Sequence, residues 1–595
     1  MRKQLLLVAA SLALWTGRAE AQDVAERGRV HGTPLPPAAR EQLARDPNAY
    51  EFERALKSEL VEVRAARARL RARGMNPQLL PARQAAAQGV AVQGTYRVPV
   101  FTLLYANSGA EPYASSELQK KLYTGPSSTL TLTQLYTEMS RGLVTLTGTV
   151  HDWIRVSQND VVYEGSDNGL KAGLLGPLLK EVLDQADKTV DFRQFDADGD
   201  GYVDFVGFVH PEKGGECGPT STNRNVWSHR WTYAGATGGK EAYYQTNDGV
   251  RISDYVIQPA YNCDGTSTVD IGVFGHEFGH AFGLPDLYST SSANDGVGVW
   301  GLMGSGNYNQ STSPAHMEAW SKVELGWMPV TTLSRSTSGV RIDPAETTGA
   351  AVRIDIPPAA GSSTPSGEYF LLENRQRIGS DRYLRASGLL IWHVDSIQIA
   401  NTRRANNVQN TTARKGLDLE EADGRADLDR VAARGDDGDP FPGSSGNRSF
   451  SATTNPNSNS NKGYSSGVSI TGITETVGGP VTLNLEIGSG GTVLTYWGDV
   501  NNDGYISTVD VDLLMREAIG RPSGAASLPR GDVDGDGRID SRDVLILQSY
   551  IDGVDVSRYR VGKPTTAAGA ASAQRAPVRT EPVRAPANLI PGARP

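Results

Sequence analysis

The sequence has little of what marks a membrane-spanning or nucleic-acid-binding protein. Beyond its first residues, no apolar stretch reaches the roughly 20 residues that a bilayer-spanning helix needs. The formal net charge is −9, which argues against a nucleic-acid-binding surface. Many acidic residues stand in clusters with Asn and Gly. This composition favours cation ligands over a general acidic surface.

Cysteine is also scarce, with Cys217 and Cys263 the only two in 595 residues. The N-terminus has a basic start, a short apolar run over residues 5–15 and small residues before a predicted cleavage after Ala21, which is typical of a secretory signal. An uncleaved anchor is the alternative. Export would place both cysteines in an oxidising compartment, where one disulfide is expected and two buried thiols are the alternative.

A chain of 595 residues is too long for one core, so several folded units are expected. The pattern of the sequence predicts a signal peptide over 1–21, a propeptide over 22–94, an α+β domain over 95–335, a β-rich, sandwich-like domain over 336–490, a small helical module over 495–556 and a disordered tail over 557–595. The predicted propeptide has no cysteine, so it would have to block a metal site by another ligand or sterically.

The strongest motif is HEFGH over residues 276–280. His276 and His280 are four residues apart, so on a helix they lie on one face and can share a cation. Two neutral imidazoles suit Zn²⁺. Glu277 lies one step round the helix, where it can take a proton from water rather than bind the metal. An accidental match is the alternative, and eight histidines in the whole chain make it rare.

The expected third zinc ligand is Asp286, which stands where the related HExxHxxGxxH pattern has its third histidine. Gly283 would allow the sharp helix exit that brings the chain back to the metal. The alternative third ligands are His316, Glu318 and Asp270.

Two further residues downstream of the motif are candidates for the same site. Met303 precedes a Gly-rich stretch, which resembles the Met-turn beneath such metals, although an ordinary core methionine is the alternative. Tyr308 is a candidate to polarise the scissile carbonyl or to stabilise its oxyanion.

Two segments near the C-terminus repeat the layout of a calcium loop, with Gly at position 6 and Asp in place of the usual Glu at position 12. The first loop would bind calcium through Asp499, Asn501, Asp503, the carbonyl of Tyr505, Ser507 and Asp510. The second would bind it through Asp532, Asp534, Asp536, the carbonyl of Arg538, Asp540 and Asp543. An apolar-patterned helix follows each loop, so each is half of a helix–loop–helix.

A third acidic loop lies inside the α+β domain. Its predicted calcium ligands are Asp196, Asp198, Asp200, the carbonyl of Tyr202 and Asp204. Position 12 of this loop is Gly207, so the bidentate carboxylate is missing, and a solvated acidic turn is the alternative. Residues 435–439 (GDDGD) could hold another cation, but there a solvated loop is favoured.

The chain resembles the immune inhibitor A family of secreted bacterial metallopeptidases. The resemblance covers roughly residues 95–490 and rests on segments 225–231 (NVWSHRW), 276–288 (HEFGHAFGLPDLY), 314–327, 368–376 and 388–395. It implies a zincin-like fold, one catalytic zinc, structural calcium and cleavage of extracellular proteins. By position it implies that His276, His280 and Asp286 bind zinc and that Glu277 is the catalytic base.

The C-terminal tandem, over about 497–553, is similar to a dockerin, the module that attaches enzymes to cohesin domains. A calcium-stabilised cap without a partner is the alternative. The resulting hypothesis is an extracellular zinc endopeptidase, made as a zymogen, with two calcium ions in the dockerin and at least one in the catalytic domain, and tethered through a cohesin-bearing surface or scaffold protein. The competing hypotheses are a non-catalytic binding or scaffold component with a vestigial zinc fold, and a zinc hydrolase that acts on a non-peptide amide or a short peptide.

Overall fold

The secondary structure below comes from a computed structural model. It describes residues 92–197, 201–218, 222–291, 293–359, 362, 366–403, 406–431, 433–488, 496–500, 506–519, 528–552, 554–563 and 578–579. The strands are β1 Gly94–Leu104, β2 Val144–Arg155, β3 Gly207–Lys213, β4 His229–Thr232, β5 Tyr244–Gln245, β6 Arg251–Ile252, β7 Asp254–Tyr261, β8 Val330–Thr332, β9 Thr337–Ile342, β10 Ala351–Asp355, β11 Glu368–Arg375, β12 Gly388–Asp395, β13 Leu417–Leu419, β14 Val468–Glu475, β15 Val481–Ile487, β16 Ile506–Ser507 and β17 Val578–Arg579. The helices are α1 Ser115–Gln119, α2 Leu132–Met139, α3 Asp160–Glu164, α4 Gly176–Ala186, α5 Tyr233–Ala236, α6 Ile271–Ala281, α7 Ala319–Glu324, α8 Ser396–Thr402, α9 Thr508–Ala518 and α10 Ser541–Ile551.

The first folded region is built on a mixed five-stranded sheet in the order β2-β1-β3-β7-β4. Every pairing is parallel except β7 with β4, so the antiparallel strand lies at one edge. Both faces of the sheet are covered. Val98 and Val100 point into one core and Phe101 and Leu103 into another. Strands buried on both faces are continuous apolar runs, as the sequence of β1 is.

The β-rich region contains a second five-stranded sheet, β13-β12-β11-β10-β8, and a three-stranded sheet, β14-β15-β9. Phe370, Leu372 and Ile391 of the former share a core with Leu483 and Leu485 of the latter, so the two sheets pack face to face.

The opposite face of the second sheet is buried as well. Leu371, Leu390 and Trp392 belong to the same core as helix α6 of the first region. Every residue of β11 and β12 is therefore buried. One continuous core runs across the predicted boundary at residue 335, and the two regions meet over an apolar surface. The domain boundaries stay predictions.

The C-terminal module packs α9 against α10 around a small core of its own. Val561 is buried in this core, and Trp497 exchanges backbone hydrogen bonds with Gly562 and Lys563. The packed chain thus extends to Lys563, past the predicted end of the module at residue 556, because these contacts join its two ends. Of the described residues, no helix combines the length and apolar character needed to cross a membrane. The predicted signal peptide, the propeptide up to residue 91 and most of the tail lie outside the described residues.

Candidate metal centre

Helix α6 brings the two motif histidines together with Asp286. The Oδ1 atom of Asp286 lies 3.0 Å from Nε2 of His276 and 3.1 Å from Nε2 of His280. All three side chains are buried. For tetrahedral bonds of about 2.0 Å, ligand atoms stand about 3.3 Å apart, so these three atoms are close to the spacing that a single metal ion requires.

Backbone carbonyls orient both imidazoles. Nδ1 of His276 donates to the carbonyl of Leu302 at 2.9 Å, and Nδ1 of His280 donates to that of Leu284 at 2.8 Å. A carbonyl only accepts hydrogen bonds, so it keeps a proton on Nδ1 of each ring and turns Nε2 towards Asp286, where Nε2 can bind a metal once it carries no proton. Two neutral imidazoles and one carboxylate are a donor set that fits a divalent transition metal.

Burial and mutual charge shift the pKa of every group in the centre. Burial lowers the pKa of His280 to about 4. Burial also acts to lower the pKa of His276, but its hydrogen bond to Asp286 outweighs this and raises it to about 9. The pKa of Asp286 is held well below its usual value by the imidazoles, against the effect of burial. The carboxylate is therefore ionised, as a metal ligand must be.

Glu277 is buried beside the ligands without being one of them. Burial raises the pKa of its carboxyl to about 7, an effect that the positive charges of His276 and of Arg230 on β4 oppose. A carboxylate with a pKa near neutrality suits a general base that must also return its proton. Sequence reasoning assigned no role to Arg230, although its segment, 225–231, was part of the resemblance.

The floor beneath α6 is formed by Met303. The chain leaves no room for a side chain at Gly279, because a Cβ there would stand 2.4 Å from Sδ of Met303 and 3.2 Å from Cε of Met317. Gly279 lies between His276 and His280, and Met303 is fully buried against it. The Met-turn hypothesis places Met303 at this position beneath the metal ligands. Gly283 follows the helix with φ of 85°, the left-handed exit expected from its sequence position.

The β-rich region supplies an orienting residue that sequence reasoning missed. Nδ2 of Asn406 donates to Oδ2 of Asp286 at 2.7 Å, and Oδ1 of Asn406 accepts from the backbone N–H of Asp286 at 2.8 Å. This pair leaves Oδ1 of Asp286 facing the histidines. Asn406 is 120 residues away along the chain, and no local pattern marks it.

Two tyrosines border the centre. Tyr308 was a sequence candidate; burial raises its pKa, with Glu216 and Glu277 adding to the effect, and the guanidinium of Arg434 stands over its ring. Tyr288 was not a candidate. Its ring stacks on His276 with centroids 6.0 Å apart, and burial and Asp286 raise its pKa well above the usual value. Both hydroxyls stay protonated at neutral pH and can donate hydrogen bonds.

The alternative third ligands lie away from the histidine pair. His316 contacts Glu138 and Lys322, Glu318 caps α7, and Asp270 pairs with Lys121. Cys217 and Cys263 form a disulfide, with Cα atoms 5.0 Å apart.

The predicted calcium loops are described in part. Asp198, Asp200, Asn501, Asp503 and Tyr505 lie outside the described residues, as does the side chain of Ser507. In the second C-terminal loop, the carboxylates of Asp532, Asp534 and Asp536 converge within 4.8 Å. In both C-terminal loops the backbone N–H at position 2 donates to the carboxylate at position 12. Val500 donates to Asp510 at 2.8 Å, and Val533 donates to Asp543 at 2.9 Å. The described parts of the two loops therefore adopt the same arrangement.

The loop over 196–204 shares part of this geometry. Gly201 donates to Asp196 at 2.9 Å, as Gly537 donates to Asp532 at 3.1 Å, and both glycines have left-handed φ. Asp204, at position 9, accepts the N–H of position 2 at 2.8 Å. Asp204 therefore makes the backbone contact that the residue at position 12 makes in the other loops. This explains why the loop can have Gly207, which lacks a carboxylate, at position 12.

Comparisons with known proteins agree with this geometry. Residues 101–328 match the family model for the immune inhibitor A peptidase M6 catalytic domain, and residues 497–552 match that for the dockerin type I domain. The chain is 34% identical over 206 residues to immune inhibitor A of Bacillus thuringiensis subsp. alesti, covering 30% of this chain and 28% of that protein. It is 28% identical over 248 residues to the pre-pro-metalloprotease PrtV of Vibrio cholerae serotype O1 (strain M66-2), covering 37% of this chain and 26% of that protein.

The match thus spans little more than a quarter of the length of these curated relatives. The family-model match over 101–328 includes HEFGH, Asp286, Met303 and Tyr308, and it ends before the β-rich region that supplies Asn406. The resemblance predicted from the sequence is confirmed: the chain carries a region of the peptidase M6, immune inhibitor A type and a C-terminal dockerin type I region.

Proposed function

We propose that the protein is a zinc-dependent endopeptidase that cleaves extracellular proteins. The observation that carries the proposal is the convergence of two Nε2 atoms and one carboxylate oxygen, with Nδ1 of both imidazoles hydrogen-bonded to backbone carbonyls. Two histidines and one carboxylate are the ligand set of several zinc peptidases, and three protein ligands leave one position open for reactants. The metalloprotease relative and the peptidase family match support the same reaction.

Each side chain of the centre has a distinct task in this reaction. Zinc, when bound, would polarise the scissile carbonyl and make water more acidic. Glu277 takes the proton of the attacking water on its carboxylate and delivers it to the nitrogen of the leaving amine. Tyr308 and Tyr288, both protonated at neutral pH, are the donors available to the developing oxyanion. Asn406 keeps the carboxylate of Asp286 turned towards the histidines.

The edge of the first sheet supplies a place for an extended substrate. Strand β4 pairs with β7 on one side and has no strand partner on the other in the part of the chain that the structure describes. It contacts helix α6 and carries Arg230, whose charge acts on Glu277. A substrate segment that adds to this edge by backbone hydrogen bonds would run beside Glu277, and it would be bound with little dependence on its side chains.

The substitution Glu277→Gln tests the proposal. Glutamine keeps the shape of the side chain but cannot take up a proton, so we expect a full complement of bound zinc and a loss of casein cleavage of at least about 10³-fold, since the base acts in both proton transfers. Glu117→Gln, an exposed acid on α1, is the control and should cleave at the parental rate. Undiminished cleavage by the Glu277 variant, or a folded parent without zinc, would refute the proposal.

A second function is favoured by the C-terminal loops: calcium-dependent docking to a cohesin domain. The dockerin match and the convergence of Asp532, Asp534 and Asp536 support it. Immobilised cohesins of several types should retain the protein in calcium and release it in chelator. Failure of every cohesin would leave the module as a calcium-stabilised cap.

Secretion and synthesis as a zymogen complete the proposal. Val92 already packs with the first region, since its N–H donates to Leu325 and its carbonyl accepts from the indole of Trp327, both at 2.9 Å. Activation that keeps this contact would cut the chain before Val92, and not after residue 94, where the sequence placed the end of the propeptide. N-terminal sequencing of the active secreted form tests this, and a start beyond Val92 would refute it.

A further inference from the structure

Three carboxylates converge in the β-rich region, away from the metal centre. Glu421, Asp423 and Asp439, here called the acidic cradle, have ligand oxygens within 4.8 Å of one another. The sequence favoured a solvated loop over 435–439. That expectation holds for Asp437, which is exposed, and not for Asp439, which is 0% exposed. Glu421 is only 4% exposed.

The carboxylate of Asp439 is half satisfied. Its Oδ2 accepts from the indole N–H of Trp300 at 2.7 Å and from the backbone N–H of Asp436 at 3.0 Å. Its Oδ1 is enclosed and has no hydrogen-bond donor among the described residues. A buried charged oxygen without a partner is costly, so this atom requires a cation or a bound donor. Oδ2 of Asp423 is likewise enclosed without a hydrogen-bond donor in the part of the chain that the structure describes, and it forms an ion pair with Nε of Arg425 at 3.3 Å.

Among the described residues, the basic side chains near the cradle supply too little positive charge to balance it. Arg425 is 64% exposed and is shared with Asp436. The nearby Lys415 is held by Asp418 and Asp429 at 2.5 and 2.7 Å. Burial accordingly raises the pKa of Glu421 to about 9 and that of Asp439 to about 7. Without a further cation, the cradle would have to bind protons at neutral pH.

We propose that Glu421, Asp423 and Asp439 form a calcium site, separate from the metal centre and from the three acidic loops. All the proposed ligand atoms are oxygens, which suits calcium, whereas zinc sites usually include nitrogen or sulfur ligands. The two oxygens of Glu421 accept the N–H groups of Asp427 and Leu428 at 2.5 and 2.9 Å, so this carboxylate is fixed in place before an ion arrives. Calcium tolerates such irregular oxygen sets, whereas magnesium demands a near-ideal octahedron.

The position of the cradle gives the ion a structural task. Its loop is bound to the segment that leads into the floor of the metal centre. Val299 donates to the carbonyl of Arg434 at 3.0 Å, and Arg434 donates its backbone N–H to Asp295 at 2.6 Å. Trp300, which donates to Asp439, stands two residues before Leu302, whose carbonyl orients His276. Calcium in the cradle would therefore fasten the β-rich region to the floor of the metal centre.

The test is calcium binding by Asp439→Asn in the full chain, after removal of all metals and reloading with zinc. Equilibrium dialysis against calcium should show one ion fewer per chain than the parent, or one site weakened at least about tenfold, because a ligand charge is lost. Asp437→Asn removes an exposed charge from the same loop and should bind as many ions as the parent. Glu421→Gln carries the same test if the Asp439 variant does not fold.

Thermal unfolding followed by tryptophan fluorescence separates binding from packing. Seven of the nine tryptophans lie between residues 95 and 490, so the signal reports mainly on the regions that the cradle joins. Calcium should raise the unfolding temperature of the parent and of Asp437→Asn, and this rise should be smaller in Asp439→Asn. In chelator, Asp439→Asn should be at least as stable as the parent, because it removes a buried repulsive charge. Equal calcium stoichiometry and an equal rise in Asp439→Asn would overturn the proposal.

Discussion

The candidate metal centre and the second C-terminal loop both bring possible metal ligands together, yet the chain holds these side chains in different ways. In the loop, the backbone N–H groups that Asp532 accepts come from within five residues, from Gly535 at 2.7 Å and Gly537 at 3.1 Å. Its more distant contact is an ion pair with Arg560 at 3.6 Å. In the metal centre, Leu302 orients His276, and Asn406 orients Asp286 from 120 residues away.

This difference determines what each site needs in order to exist. A loop stabilised by its own backbone N–H groups can form in a small module and is completed by the ion. A centre whose ligands are oriented by remote segments requires the packing of two folded regions first, and it is preorganised for chemistry as a result. Substitutions should therefore have local effects in the loop and distant effects at the centre.

The largest effect is expected from Asp286→Ala. The variant removes the proposed third metal ligand, whose Oδ1 faces both histidines, so metal binding should fail. Proteolysis should then fall by at least about 10³-fold, which corresponds to a loss of several kcal/mol of transition-state stabilisation. Zinc content and casein cleavage are the measurements, with the exposed Asp355→Ala as control. Calcium-dependent retention by a cohesin should persist, and its loss would show that the two regions are not independent.

Gly272→Ala is expected to destabilise the first region by about 1–3 kcal/mol, in spite of the better helix propensity of alanine. A Cβ at Gly272 would stand 2.4 Å from the backbone carbonyl of Asn307, so α6 would be pushed away from the segment that carries Tyr308. Denaturant unfolding measures the loss. Gly109→Ala, whose Cβ meets no atom within 4 Å, is the control. An equal or greater stability of Gly272→Ala would contradict the close approach.

Asn406→Ala should weaken zinc binding by about 10- to 100-fold, because residues that orient metal ligands contribute on that scale. Competition with a chromophoric chelator gives the affinity. Asn410→Ala is the matched control, since Asn410 bonds to Ser289, Thr290 and Ser291 instead of the ligand. An equal loss in both variants would mean that the loop matters as an anchor and that Asn406 does not orient Asp286.

These contrasts also explain how far the sequence could be interpreted. His276, Glu277, His280 and Asp286 lie within one helix and the turn after it, so residue spacing alone predicts their convergence. The second calcium loop is equally local. Asn406, and the acidic cradle with its contact from Asp439 to Trp300, depend on contacts between distant segments that no spacing rule reveals.

The burial of β11 and β12 shows the same limit. Both strands lie in the region over 336–490 that the sequence predicted to be β-rich. The packing of their second face against the first region is a property of the assembled fold.

Asp532→Ala is expected to have the smallest effect on catalysis. It tests whether the metal centre is independent of the C-terminal module. Asp532 accepts the N–H groups of Gly535 and Gly537, and its carboxylate faces those of Asp534 and Asp536, so the variant should lose calcium from this loop and capture by cohesin. The metal centre has its own core and its own supporting contacts. Casein cleavage at saturating zinc should therefore stay within about twofold of the parent, a change below about 0.4 kcal/mol. A larger loss would mean that the C-terminal module supports the catalytic region, and the contrast between a local and a long-range site would then fail.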